Sequence, residues 1–244
     1  MNLFLWASST IKLRGDFIVD KLFFVTVTII LPIGFFGYAL YRRSFGPFVL
    51  GVLAFVISQM VIRIPILNYV AINSSTYQFW SVTKPIVVLT LLAVSAGVVE
   101  ELARWIFMRC FLKRKTYFNG IIFGFGHGGI EALLLVGIPV AMQINMAAPS
   151  HLFLSGVERL CAMAIHVCLS LIVLIGVQKR AFRYVCSAIM IHSIINFIGG
   201  TLAQTQSLVI VETVLVTLVC ILILGTIQIV RRNGNDEKME IYRV

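Results

Sequence analysis

The sequence predicts an all-α, polytopic integral membrane protein: a bundle of about seven transmembrane helices, with the N-terminus out and the C-terminus in. Three observations predict it. Of the 244 residues, 59% are hydrophobic and only 12% are charged, with a mean hydropathy of +0.98, far from the composition of a water-soluble domain. Apolar runs long enough to cross a hydrocarbon layer of about 30 Å recur along nearly the whole chain, and such runs must be helices that satisfy their own backbone hydrogen bonds. The Lys and Arg residues behind the net charge of +10 sit in short clusters between these runs, not along one amphipathic face. That is a topology signal and argues against nucleic acid as a partner.

Taken in order, the expected spans are 22–41, 45–62, 82–112, 118–144, 157–178, 184–204 and 207–230. The first ends at Arg42 and Arg43, the third at Lys113, Arg114 and Lys115, the fifth at Lys179 and Arg180, and the seventh at Arg231 and Arg232. These clusters alternate with the spans, so they share one side, which the positive-inside rule makes the cytoplasm. Lys12, Arg14, Lys21 and Arg63 fall on the other side, and the last two outer loops carry no Lys or Arg. The stretch Arg63 to Thr83, with Pro65, Asn68, Asn73, Ser74 and Ser75, is the longest outer connection and is expected to be a loop or a re-entrant piece. The apolar stretch before Lys12 is too short for the core of a cleaved signal peptide. The cysteines, Cys110, Cys161, Cys168, Cys186 and Cys220, form no C-x-x-C pair and read as small hydrophobes. We expect a single domain over 1–244, a polar core on the helices within 82–204, and a cytoplasmic polar tail over 233–244.

Polar residues inside the spans carry the functional information. A charged side chain near a bilayer centre costs at least a few kcal/mol, so each marks a candidate site. Glu100, Glu101, Glu131, Glu158 and Glu212 lie in spans or at their edges, as do His127, His166 and His192. Measured from the nearest cytoplasmic basic cluster at about 1.5 Å per helical residue, Glu100, His127, His166 and Asn196 all fall roughly 18–20 Å deep, on four different helices. Arg104 and His192 come out at about 14 Å by the same rule. Within each helix the i, i+4 pairs Glu100 and Arg104, His127 and Glu131, His166 and Ser170, and His192 and Asn196 each share a face.

Imidazoles with a carboxylate are the usual ligand set for zinc or a similar divalent ion, whose bound water becomes far more acidic. Glu100 or Glu101 can take that water's proton as general base. Other readings stand beside this one. Glu100 and Arg104 can be an intrahelical ion pair, and His166 reads equally as ligand or as packing hydrogen-bonder. Glu131 reads as a carboxylate orienting His127 or Arg104. Glu158 and Arg159 open the fifth span and can be a helix-start pair, and Glu212 has no assigned role. Gly120, Gly124, Gly126, Gly128 and Gly129 read as small-residue packing. The aspartates, Asp16, Asp20 and Asp236, lie outside the spans, which excludes an intramembrane aspartic dyad. There is no H-E-x-x-H helix, no G-x-S-x-G elbow, and no nucleotide-binding loop.

The motifs E-E-L-A-R (Glu100, Glu101, Arg104), G-F-G-H-G-G-I-E-A (His127, Glu131), E-R-L-C-A-M-A-I-H (Glu158, Arg159, His166) and H-S-I-I-N (His192, Asn196) resemble the YhfC family of intramembrane metalloproteases, related to the CAAX-protease and bacteriocin-processing group. The likeness covers residues 95–200 closely. In the wider group the first motif is E-E-x-x-x-R, whereas here it is one residue shorter, which turns the arginine by about 100° around its helix. The resemblance implies an intramembrane endopeptidase that hydrolyses a membrane-associated protein or peptide in a cell membrane, that of a bacterial cytoplasm. It implies a water-activating Glu100 or Glu101 and polar partners at His127, His192 and Asn196; in the hydrolytic reading of the residues His127, His192 and His166 are metal ligands and Asn196 a ligand or oxyanion donor. Arg104, Glu131, Glu158 and Ser170 support them. The cofactor implied is a divalent metal, zinc by ligand type, and the same residues also suit a metal-free mechanism. A non-catalytic scaffold or immunity protein, or an ion-coupled transporter, would use the same polar layer.

Overall fold

The computed structural model describes residues 18–144 and 149–241, and the side chains at 149, 150 and 235–241 lie outside the description. All regular structure among the described residues is helical. We number the helices α1 (Ile18–Tyr41), α2 (Phe45–Asn73), α3 (Ser75–Thr83), α4 (Pro85–Cys110), α5 (Tyr117–Ala141), α6 (Pro149–Gln178), α7 (Arg183–Thr205) and α8 (Leu208–Ile241). All except the nine-residue α3 are long and apolar enough to cross a membrane, which makes this a multi-pass membrane protein.

Three boundaries differ from the sequence expectation, one of them at the end of α8, which continues as helix to Ile241 and does not stop at residue 230. The helix of the second span does not stop at residue 62 but runs on to Asn73, and α3 follows after a single residue, so Arg63–Thr83 is neither loop nor re-entrant coil. Arg63 ends a hydropathy window, yet its guanidinium turns back to Ser95 Oγ (3.2 Å), the Leu92 carbonyl (2.7 Å) and Gln59 Oε1 (3.1 Å), so the charge is satisfied within the helix packing. Likewise α6 begins at Pro149, not at 157, because its first turns bury Leu152. Glu158 and Arg159 are therefore interior residues of the helix and do not open it. Three stretches, Thr26–Ile30, Val56–Arg63 and Ala132–Gly137, are wound as π-helix, a widening that tends to occur at functional sites. The second contains Gln59, and the third starts one residue after Glu131.

The turns at one end are tight. Arg43 (φ 53°) and Arg180 (φ 52°) adopt the left-handed conformation in the α1–α2 and α6–α7 connections, at a cost of about 1–2 kcal/mol each. Thr116 caps α5 by accepting from the Asn119 amide (3.3 Å), and Ser74 caps α3 through Tyr77 (3.2 Å).

Helix α6 is the hub. Of its most apolar window 72% is buried, and Ile165, Leu169, Ile172, Val173 and Leu174 form the centre of the main core cluster. Small residues set the approach of its neighbours, as expected for helices packed in lipid. A Cβ on Gly124 would stand 2.6 Å from the Val167 Cα, and one on Gly128 2.9 Å from the Met163 Cα, so α5 lies directly against α6. On its other side α5 meets α2 where Gly126 faces the Phe48 carbonyl and Gly51 the Phe123 carbonyl. Gly97 does the same for α4 and α7, its missing Cβ lying 2.9 Å from the Ile189 carbonyl oxygen. These contacts bring α4, α5, α6 and α7 together at the depth of their polar residues.

A buried glutamate–histidine centre

Each helix contributes through the close approach that positions it. Gly97 is one turn from Glu101, and its partner segment on α7 includes Ser193, the neighbour of His192. His192 Nδ1 consequently meets Glu101 Oε1 at 2.8 Å. Because a carboxylate only accepts, Nδ1 carries the proton and Nε2 is left with its lone pair, 4.0 Å from Glu100 Oε1. This is the arrangement in which a carboxylate fixes the tautomer and tilt of a functional imidazole.

Gly124 and Gly128 likewise bring His127 and His166 together, with ring centroids 4.6 Å apart. His127 Nε2 lies 3.0 Å from Glu100 Oε2, while its Nδ1 is buried without a hydrogen-bond partner among the described residues. His166 is held from both sides. Arg104 Nη2 donates to its Nδ1 (2.9 Å), Arg104 Nη1 donates to its carbonyl (3.0 Å), and its Nε2 contacts Glu131 Oε2. Arginine has no lone pair to offer, so Nδ1 is the acceptor and the ring proton sits on Nε2, facing Glu131. Arg104 also lies 3.4 Å from Glu101 Oε1.

The helical spacing of the sequence had pointed to other pairs. Arg104 binds Glu101 at i, i+3 and makes no ion pair with Glu100 at i, i+4. Glu131 orients neither His127 nor Arg104 by direct contact; its oxygens go to His166 and to Arg159 Nη1 (3.0 Å), which also binds Glu158. Ser170 is buried with its hydroxyl unpartnered among the described residues, one turn beyond His166. Asn196 makes no side-chain hydrogen bond among the described residues and lines the cavities described below, with Glu100 and Glu131. Gln59 and Arg63 were not anticipated. Gln59 Nε2 donates to Glu100 Oε1, and Arg63 Nη1 holds the other end of that amide. The available signal was an amide alone in an apolar run with an arginine four residues on.

Glu100, His127, Glu131 and His166 each offer a ligand atom, and these four atoms lie within 4.8 Å of one another. Tetrahedral zinc with bonds near 2.0–2.1 Å needs donors about 3.3 Å apart, so a contraction of up to about 1.5 Å would close the set. Charge points the same way. Glu100, Glu101, Glu131 and Glu158 outnumber Arg63, Arg104 and Arg159, and the centre with neutral imidazoles stays acid-heavy. The donor types, the spare negative charge and the unpartnered His127 Nδ1 fit a divalent cation.

Two cavities reach this centre. One, of about 360 Å³, opens between α6, α7 and α8; the other, of about 240 Å³, opens beside α2 and α4. Glu100, Glu131 and Asn196 line both, so the carboxylates are accessible from two sides.

Fold and centre together define a multi-pass membrane protein with a Glu/His cluster buried between four helices. The chain belongs to the YhfC intramembrane metalloprotease family, whose profile matches residues 27–148 and 137–220. It is 27% identical over 207 residues to an uncharacterised membrane protein, YhfC, of Bacillus subtilis strain 168, covering 70% of this chain and 79% of that protein. No solved structure matches it.

Proposed function

We propose that this protein is an intramembrane endopeptidase that hydrolyses a peptide bond in a membrane-associated protein or peptide, with Glu100 as the base. The observation that carries this is the contrast between the two adjacent glutamates. Glu101 is fully buried and committed to Arg104 and His192, whereas Glu100 lines both cavities and is fixed through one oxygen by Gln59 and through the other by His127. A carboxylate held in place and open to a cavity suits proton abstraction from water; one locked in an ion pair suits positioning.

The remaining residues follow from their bonding. His192, its Nδ1 proton given to Glu101, offers Nε2 beside Glu100 and can pass the abstracted proton to the leaving amine. Asn196, one turn along the same helix and lining both cavities, can donate its amide to the carbonyl oxygen as charge develops there. Arg104 keeps His166 and Glu101 in register. His127, Glu131 and His166 would hold a divalent cation, His166 on giving up its Nε2 proton. A bound cation supplies Lewis acidity, which polarises a peptide carbonyl and acidifies water. A metal-free Glu/His mechanism is favoured by one observation, that both ring nitrogens of His166 are already satisfied by Arg104 and Glu131.

We further propose the N-out, C-in orientation, supported by Arg42, Arg43, Lys113, Arg114, Lys115, Lys179 and Arg180 in alternate connections, and one domain over 1–244. The test is hydrolysis of quenched-fluorescent membrane peptides by detergent-purified protein. Glu100→Gln is expected to lower the rate by about 10²–10⁴-fold at unchanged yield. No cleavage of any peptide by the unsubstituted chain would overturn the proposal and leave a scaffold. Elemental analysis beside it, with one divalent ion per chain lost in a His127→Ala, His166→Ala variant, separates the metal-assisted from the metal-free form.

A further inference from the structure

The larger cavity does not end at the Glu/His centre. It continues between α6, α7 and α8 to Glu158 and Glu212, two carboxylates that the hydrolytic chemistry does not use. Their situations differ. Glu158 shares Arg159 with Glu131 and is satisfied. Glu212 on α8 is 7% exposed, and its Oε2 is buried with no hydrogen-bond partner among the described residues. Arg159, the one guanidinium lining the cavity among the described residues, turns to Glu131 and Glu158 and makes no ion pair with Glu212. A buried carboxylate without a partner is costly, and one that borders an open cavity can be satisfied by a ligand entering there.

We propose that Glu212, seconded by Glu158, forms an acidic subsite that takes the ammonium or guanidinium of a basic side chain on the peptide substrate. This rests on the peptidase proposal. The walls fit such a side chain: Val211 and Leu215 offer an apolar lining for a methylene stem, and the carboxylates lie where its charged tip would end. On α7, Gly199 leaves open space where a Cβ would stand, and Ala203 continues the small surface, giving room for the backbone that carries the side chain. At about 360 Å³ the cavity is in the range of small-ligand sites. A free Ca²⁺ ion fits less well, since it takes six to eight oxygens and this wall is largely apolar.

The experiment measures binding apart from cleavage. In the Glu100→Gln background, fluorescently labelled apolar peptides that differ at one central position, with lysine, arginine, norleucine or glutamate, are titrated against detergent-purified full-length protein. Lysine and arginine peptides are expected to bind at least about tenfold more tightly than norleucine, and Glu212→Gln to reduce that preference to less than about twofold at an unchanged size-exclusion profile. Equal binding of lysine and norleucine peptides overturns the subsite, as does a preference that survives Glu212→Gln. The peptide series on protein with Glu212 intact decides the point even where the substituted chain fails to fold. Calcium binding by calorimetry that depends on Glu212, without any peptide preference, would reassign the wall to a metal ion and also overturns the proposal. The outcomes separate from those of the peptidase: a lysine preference with no cleavage by unsubstituted protein removes the peptidase alone, and cleavage without preference removes the subsite alone.

Discussion

Helices α6 and α8 are about equally apolar and both cross the bundle, yet 72% of the best window of α6 is buried and only 17% of that of α8. In water such a difference would show as an amphipathic stripe; in lipid, apolar side chains face hydrocarbon and protein core at nearly the same free energy. What distinguishes the two helices is polar. Helix α6 carries Arg159 and His166, whose partners stand on α4 and α5, while the apolar stretch 208–230 of α8 carries the single carboxylate Glu212 near one end. Buried polar groups, with the glycines that let backbones meet around them, decide which helix becomes the hub.

The sharpest way to break this contrast is to remove the cation that ties α6 to α4. Arg104 is 0% exposed and holds the His166 carbonyl, the His166 ring and Glu101 at once. Arg104→Leu strands a buried carboxylate and an imidazole, with an expected loss of about 3–5 kcal/mol. In detergent this reads as a large fall in thermal unfolding temperature or in yield of monodisperse protein. A variant as stable as the parent would show that α6 is anchored by its apolar surface after all.

How much of this was legible in the sequence follows the same division. The depth of Glu100, His127 and His166 could be counted from the basic clusters, because helical rise is constant, and the structure brings side-chain atoms of these three within 4.8 Å of one another. Spacing gives the face of a helix but not the neighbour opposite that face. Arg104 shares a helix face with Glu100, which allows an ion pair there, and is found on Glu101; Glu131 reads as orienting His127 or Arg104 and is found on His166 and Arg159. Gln59 escaped because it sits on α2, whose one visible charge, Arg63, reads as the end of a span until the Ser95 and Leu92 oxygens that receive it are known. Which glutamate faces the cavities was open for the same reason, since residues 100 and 101 differ by about 100° of helix rotation and sequence does not fix the zero of that angle.

A milder probe tests the backbone approach alone. Gly124→Ala adds one methyl 2.6 Å from the Val167 Cα, which two packed helices can accommodate only by moving apart. The expected cost is about 1–3 kcal/mol, with a matching fall in peptide hydrolysis as His166 withdraws from His127. Undiminished stability would mean that the α5–α6 contact is plastic and that the histidine pair does not depend on it.

The smallest effect is expected on α8, where it is also the most informative. At Gly225 nothing lies within 4 Å of an added Cβ, so Gly225→Ala displaces no neighbour. It also improves helix propensity, which in water is worth about 1 kcal/mol and matters less where lipid already enforces the helix. Stability is therefore expected to change by no more than about 0.5 kcal/mol, with hydrolysis unaltered. Because Gly124→Ala and Gly225→Ala are the same chemical change at a closely packed and at an open position, the difference between them measures packing. Equal losses at both positions would mean that the open face of α8 is covered in the membrane by another helix, and the 17% burial of its window would then describe a partner's seat.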